Sequence, residues 1–121
     1  MPGEFPHQRL RVWHRALAQL AVARDLKSGL PRGVGSFGDQ LLRASGSVVL
    51  NIAEGANART AGEKRNGFGI ARKENAEAAA VVEALCVMGL IPVDSAADFV
   101  AEANEIAAIL TVLARRAKTL H

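Results

Sequence analysis

Three short breaks govern what this chain can fold into. "SGLPRGVGS" (28–36) packs Gly29, Pro31, Gly33 and Gly35 into one connection, "EGANARTAGE" (54–63) sets Gly55 and Gly62 around a polar run, and "GLIPVDS" (89–95) follows Gly89 with Pro92. Glycine costs a helix backbone entropy, and proline removes a donor, so each stretch stops or weakens a helix. Between the breaks, apolar residues recur every three or four positions, the period of a helix with one buried face. Leu10, Trp13, Leu17 and Leu20 mark the first stripe, and Phe37, Leu41, Ala44, Val48 and Ile52 the second. Phe68, Ala71, Ala78, Val82 and Leu85 mark the third; Phe99, Ile106, Ile109, Leu110 and Leu113 mark the fourth. Helices are predicted over about 10–28, 36–58, 62–88 and 95–118. Thr60 followed by Glu63 is a capping box for the third. Asp94 or Ser95 suits the cap of the fourth, with Asp98 in its first turn and Arg115, Arg116 and Lys118 at its negative end. No alternating strand pattern competes, and short connections force neighbouring helices to run antiparallel. The expectation is an all-α, antiparallel up-down-up-down four-helix bundle in a single domain, residues 1–121.

Composition narrows the function classes. The one cysteine, Cys86, cannot form an internal disulfide, and its place in "VVEALCVMGL" makes it a buried small hydrophobe. The opening "MPGEFPHQRLRVW" carries proline and charge where an export signal has an apolar core, and no stretch is apolar enough to span a bilayer. A soluble, cytoplasmic protein is expected, with no membrane partner.

A four-helix bundle can house a carboxylate-bridged metal pair, which needs Glu-x-x-His on two helices. Here Glu4 to His7 is the single such spacing, with Pro6 inside it. His7 and His14 lie two turns apart on the first helix and read as rim histidines. Ser45 and Ser47 flank Gly46 within a helix, not on the sharp turn a nucleophile needs. "LPRGVGSFG" is glycine-rich but lacks the Gly-Lys-Ser/Thr ending of a phosphate loop. The paired carboxylates Glu74/Glu77 and Glu102/Glu105 lie on helical faces. No catalytic residue, metal ligand or cofactor is therefore expected, and the chain is not expected to be an enzyme.

The stretch "VVLNIAEGANART" (48–60) departs from a simple amphipathic pattern. Arg43, Ser47, Asn51 and Glu54 fall on one polar stripe by their spacing, beside an apolar stripe of Val48, Ile52 and Gly55. Gly55 lets another backbone come close, at about 1 kcal/mol of helix propensity relative to Ala. Asn51 and Glu54 are either solvated or meet polar groups on a facing helix, such as Asn75 or Glu77, or on another subunit.

These residues carry a family likeness. "VWHRA" (12–16), "LLRASGSVVLNIAEG" (41–55) and the region around Glu77 resemble the bacterial four-helix-bundle proteins encoded in intervening sequences of 23S ribosomal RNA genes. Arg43, Asn51, Ile52, Ala53, Glu54 and Gly55 match the most specific motif, and Trp13 the aromatic of the first helix. Val49 and Leu50 stand where the family usually has a proline, Asn75 where it more often has an apolar residue, and Glu74 where it prefers a small one. The resemblance implies a non-enzymatic bundle that assembles into homo-oligomers, pentameric rings among them. It also implies kinship with accessory proteins of diversity-generating retroelements, which bind a reverse transcriptase and nucleic acid.

Charge placement gives an independent hint. Up-down threading brings the start of helix one, the end of helix two, the start of helix three and the end of helix four to one pole. Arg9, Arg11, Arg15, Arg59, Lys64, Arg65, Arg72, Lys73, Arg115, Arg116 and Lys118 fall there, eleven of fifteen basic residues, which makes a charge dipole of a chain whose net charge is only +3. Glu4, Glu54, Glu63 and Glu74 offset them, while Asp25, Asp39, Glu83, Asp94, Asp98 and Glu102 fall toward the opposite pole. Arg9, Arg11, Arg15, Arg59, Lys64, Arg65, Arg115, Arg116 and Lys118 are the candidate contacts to RNA or DNA phosphate. The competing expectation is a protein adaptor or scaffold that binds no nucleic acid.

Overall fold

Each break stops a helix where the glycines and prolines predict it. The computed structural model describes residues 5–117. A 3-10 turn, Pro6–Arg9, leads into α1 (Arg11–Ser28), α2 (Gly35–Asn57), α3 (Ala61–Val87) and α4 (Val93–Ala117). Gly33 and Gly89 hold positive φ angles of 99° and 74° in the first and last connections, a conformation that side chains disfavour. Thr60 caps α3 as expected: its Oγ1 accepts from the Glu63 N–H at 3.1 Å and donates to the Glu63 carboxylate at 2.9 Å. The start of α4 differs from expectation. The helix begins at Val93, with the Ala96 N–H bonded to the Pro92 carbonyl, so Asp94 sits inside the first turn and neither it nor Ser95 caps. Proline suits a helix start because the N–H it lacks would have no partner there. Asp98 lies beyond that turn.

Cross-helix pairs show the antiparallel threading, since residue numbers rise along one helix as they fall along its neighbour. Lys27 at the end of α1 pairs with Asp39 early in α2, and His7 in the 3-10 turn ahead of α1 pairs with Asn57 at the end of α2. Arg43 reaches Glu77 while Gly55 meets Gly67 across α2 and α3. Asn75 bonds Ala103 while Arg72 bonds Thr111 across α3 and α4. Gln19 bonds Phe99 while Arg15 bonds Glu102 across α1 and α4. Among the described residues each helix packs on its two neighbours in the ring and not on the one diagonally opposite. This is an antiparallel four-helix bundle, and among the described residues no helix is long and apolar enough to cross a membrane.

The core has two apolar halves. Val12, Ala16, Val48, Ile52, Phe68, Ile106 and Leu110 fill one, and Ala23, Leu41, Ala44, Val82, Leu85 and Phe99 the other. Between them lies a polar layer of Gln19, Ser45 and Asn75, all buried. The predicted stripes hold for α3 and, apart from half-buried Phe37, for α2. On α1 the stripe is displaced: Val12, Ala16, Gln19 and Ala23 are buried, whereas Leu10, Trp13, Leu17 and Leu20 are half-buried flanks. The small residues let α1 sit close to its neighbours, and the larger side chains cover the seams on either side. On α4, Ile109 and Leu113 flank the buried line in the same way. Cys86 is half-buried at the edge of the second half, more exposed than its apolar setting predicts.

Candidate functional site

The seam between α2 and α3 is built on two glycines. A Cβ added to Gly67 would lie 2.6 Å from both Cα and N of Gly55 and 3.0 Å from the Asn51 carbonyl oxygen. One added to Gly55 would lie 3.0 Å from the Phe68 ring and 3.2 Å from the Lys64 carbonyl oxygen. The close approach expected at Gly55 is thus real, and its partner is Gly67, which sequence reasoning missed.

The polar stripe beside this contact divides into two uses. Arg43 spans the seam, donating to Glu74 at 2.9 Å and to Glu77. The hydrogen bond to Glu74, with the charges of both carboxylates, raises the guanidinium's affinity for its proton further. Asn51 turns back on its own helix, donating through Nδ2 to the Ser47 carbonyl at 2.9 Å and hydroxyl at 3.0 Å. Glu54 is exposed and has no ion pair among the described residues. The suggested link from Asn51 and Glu54 to Asn75 or Glu77 is not formed within the chain. Asn75 faces α4 instead, and Glu77 is taken by Arg43. Asn51 and Glu54 therefore line an open groove of ≈ 710 Å³ with Asn57, Glu63, Asn66 and Ile70, next to exposed Leu50.

At the basic end, Trp13 is the anchor. The rings of His7 and His14 stand edge-on to it at 4.6 and 5.1 Å. His7 belongs to the 3-10 turn and not to α1, and its Nδ1 accepts from Asn57 Nδ2 at 2.8 Å, which pins the turn to the end of α2. His14 Nε2 donates to the Gln8 carbonyl at 2.8 Å.

Several of the predicted cations have structural partners. Arg15 makes a two-pronged pair with Glu102, Nε to Oε2 at 2.8 Å and Nη2 to Oε1 at 2.7 Å. The hydrogen bond from Arg15 holds the Glu102 carboxyl below its usual range, against the opposing effect of burial. The assignment of Glu102 to the opposite pole is thereby corrected. It lies near the middle of α4, opposite the second turn of α1, and spends the charge of Arg15. Lys64 Nζ bonds the Ala56 carbonyl at 3.0 Å, satisfying an acceptor that the end of α2 leaves open. Arg72 donates to Thr111 Oγ1 at 2.9 Å. Glu74, counted as an offset at the basic pole, is engaged by Arg43. Arg9 lies on the 3-10 turn and Arg116 in the last turn of α4, each with an interaction of its own. Arg11 opens α1, Arg59 lies in the α2–α3 connection, Arg65 lies in the second turn of α3 and Arg115 in the last turn of α4, whereas Lys73, assigned to the basic pole, lies at the middle of α3, two residues from buried Asn75. These five are exposed and make no side-chain hydrogen bond or ion pair among the described residues. Lys118 lies outside the described residues, as does Glu4.

Among the described residues no three His, Cys, Asp or Glu side chains gather closely enough to hold a metal ion. A family model described as 23S rRNA-intervening sequence protein matches residues 8–112. No curated protein matches the chain.

Proposed function

The chain belongs to the 23S rRNA-intervening sequence protein family, and on that premise we propose a non-enzymatic, homo-oligomeric binding module whose basic end contacts the phosphate backbone of nucleic acid. The observation that carries this reading is the set Arg11, Arg59, Arg65 and Arg115, exposed and without side-chain partners on elements that the antiparallel threading brings toward one end. Unpaired guanidinium groups that neutralise phosphates release the cations condensed on the nucleic acid, whereas Arg15, already neutralised by Glu102, contributes little. Four contacts per chain would give a log–log salt slope of about −2.8 on single strands and about −3.6 on duplex DNA. One tryptophan and four phenylalanines leave little for base stacking, so sequence preference should be weak. Parallel association of copies would multiply these contacts by placing several basic ends side by side. Light scattering after size exclusion checks the oligomer, and a monomer at working concentration would remove that part of the reading.

The direct test is charge reversal at Arg59→Glu with Arg65→Glu, two exposed residues whose loss breaks no described bond. RNA retention in low salt should fall by an order of magnitude or more, with a shallower salt slope, by roughly two of the phosphate contacts. Unchanged retention would end the nucleic-acid reading. The groove of Asn51, Glu54 and Asn66 supports a second reading, a protein adaptor that binds on the lateral face. That reading expects capture of one protein partner that survives nuclease treatment and is lost in Glu54→Arg.

A further inference from the structure

We propose that the bundle binds one ordered water molecule at mid-height, in the polar layer between its two apolar halves. Three helices each contribute a buried polar side chain there: Gln19 from α1 at 8% exposure, Ser45 from α2 at 3% and Asn75 from α3 at 4%. Two of them are used by α4. Gln19 Nε2 donates to the Phe99 carbonyl, and Asn75 Nδ2 to the Ala103 carbonyl, both at 2.8 Å. These carbonyls lie one turn apart on α4, so amides from α1 and α3 grip the same helix from its two sides.

Ser45 is left over. Its hydroxyl is enclosed and has no hydrogen-bond partner in the protein, not even the carbonyl one turn back on which a helical serine commonly falls. An orphaned buried hydroxyl costs about 1–3 kcal/mol, so such groups are normally satisfied. Gln19, Ser45 and Asn75 wall an enclosed cavity with Ala16, Val48 and Ile106, and ≈ 10 Å³ of it is open to a water molecule's centre. That is about the least space that holds one water, and far too little for any larger ligand. A buried water also needs two to four polar partners. The Ser45 hydroxyl supplies one, and each carboxamide has an oxygen and a second N–H beyond the bond it gives to α4. Size, polarity and the unpaired hydroxyl converge on the same ligand.

Oxygen-17 relaxation dispersion counts waters held far longer than surface hydration. Wild type should show at least one, and Ser45→Val, which removes the hydroxyl and fills the space with methyl groups, should show one fewer. An equal count in the two proteins overturns the proposal. Should the variant fail to fold, the wild type decides through magnetisation transfer between water and the Asn75 side-chain amide or the Val48 methyls. Transfer with the signature of a long-lived water supports the site, and its absence overturns it.

Discussion

Gly67→Ala is the most informative single change in this molecule, because two well-measured effects oppose each other there. On helix propensity alone, alanine in the interior of α3 is worth about 1 kcal/mol more than glycine. The new methyl would, however, lie 2.6 Å from Gly55 Cα and N, about 1 Å inside the 3.5–4.0 Å at which carbon atoms attract. Its neighbours are main chain, so no rotamer change relieves the overlap and α2 and α3 must part. Overpacking of a tight core typically costs about 1–3 kcal/mol, and a rigid backbone contact belongs at the upper end. The net expectation is a loss of about 2 kcal/mol, which at this chain length lowers Tm by roughly 10 °C. Gly69→Ala is the built-in control. It lies on the same helix, is exposed, and a Cβ there meets nothing within 4 Å. It should raise stability by up to about 1 kcal/mol. Thermal and urea unfolding by circular dichroism at one fixed protein concentration compare the three proteins. Gly67→Ala as stable as Gly69→Ala would refute the backbone contact.

Two further tests address polar features. The carboxyl of Glu102 is held below its usual range by Arg15, so the pair's contribution is fully present above the unfolded carboxyl's pKa of about 4.3 and is lost as pH falls through the lowered folded value. Glu102→Gln should therefore be less stable than wild type at pH 7, with the gap closing on acidification; a gap that persists at low pH contradicts the assignment. Thr60→Ala removes the side-chain acceptor for the Glu63 N–H and should cost about 1 kcal/mol, measured by urea midpoint, with a change near zero arguing against the cap.

The helices and their breaks were legible because periodicity and glycine–proline punctuation are local signals. What depended on neighbours was not. Val12, Ala16 and Ala23 lie deeper than Leu17 and Leu20 because helix spacing, not hydrophobicity, selects the closest contact line, and a stripe picked by residue size lands on its flanks. Gly55 stood out inside an apolar run. Gly67 did not, because "KRNGFGIARK" reads only as a weak helix start until α2 is placed against it. Glu102 was misassigned by counting from helix ends, since α4 is longer than α1 and its middle lies opposite an early turn of its partner. Gln19 and Asn75 carried no signal that they would bond the Phe99 and Ala103 carbonyls of a helix far away in sequence. Of the predicted cations, sequence gave the helix ends but not the partners: nothing local marks Arg15 as paired and Arg11 as bare.

The contact between Gly55 and Gly67 has a consequence for how the stretch Asn51–Gly55 is read. Its inward members, with the Asn51 main chain, set the distance between two helix axes, while the side chains of Asn51 and Glu54, lining the outer groove, leave that distance untouched. A search keyed to this string would gather chains that share an interaxial geometry, and two of them could dock unlike molecules. The string certifies a scaffold; what each chain carries on it must be sought among the outward-facing side chains.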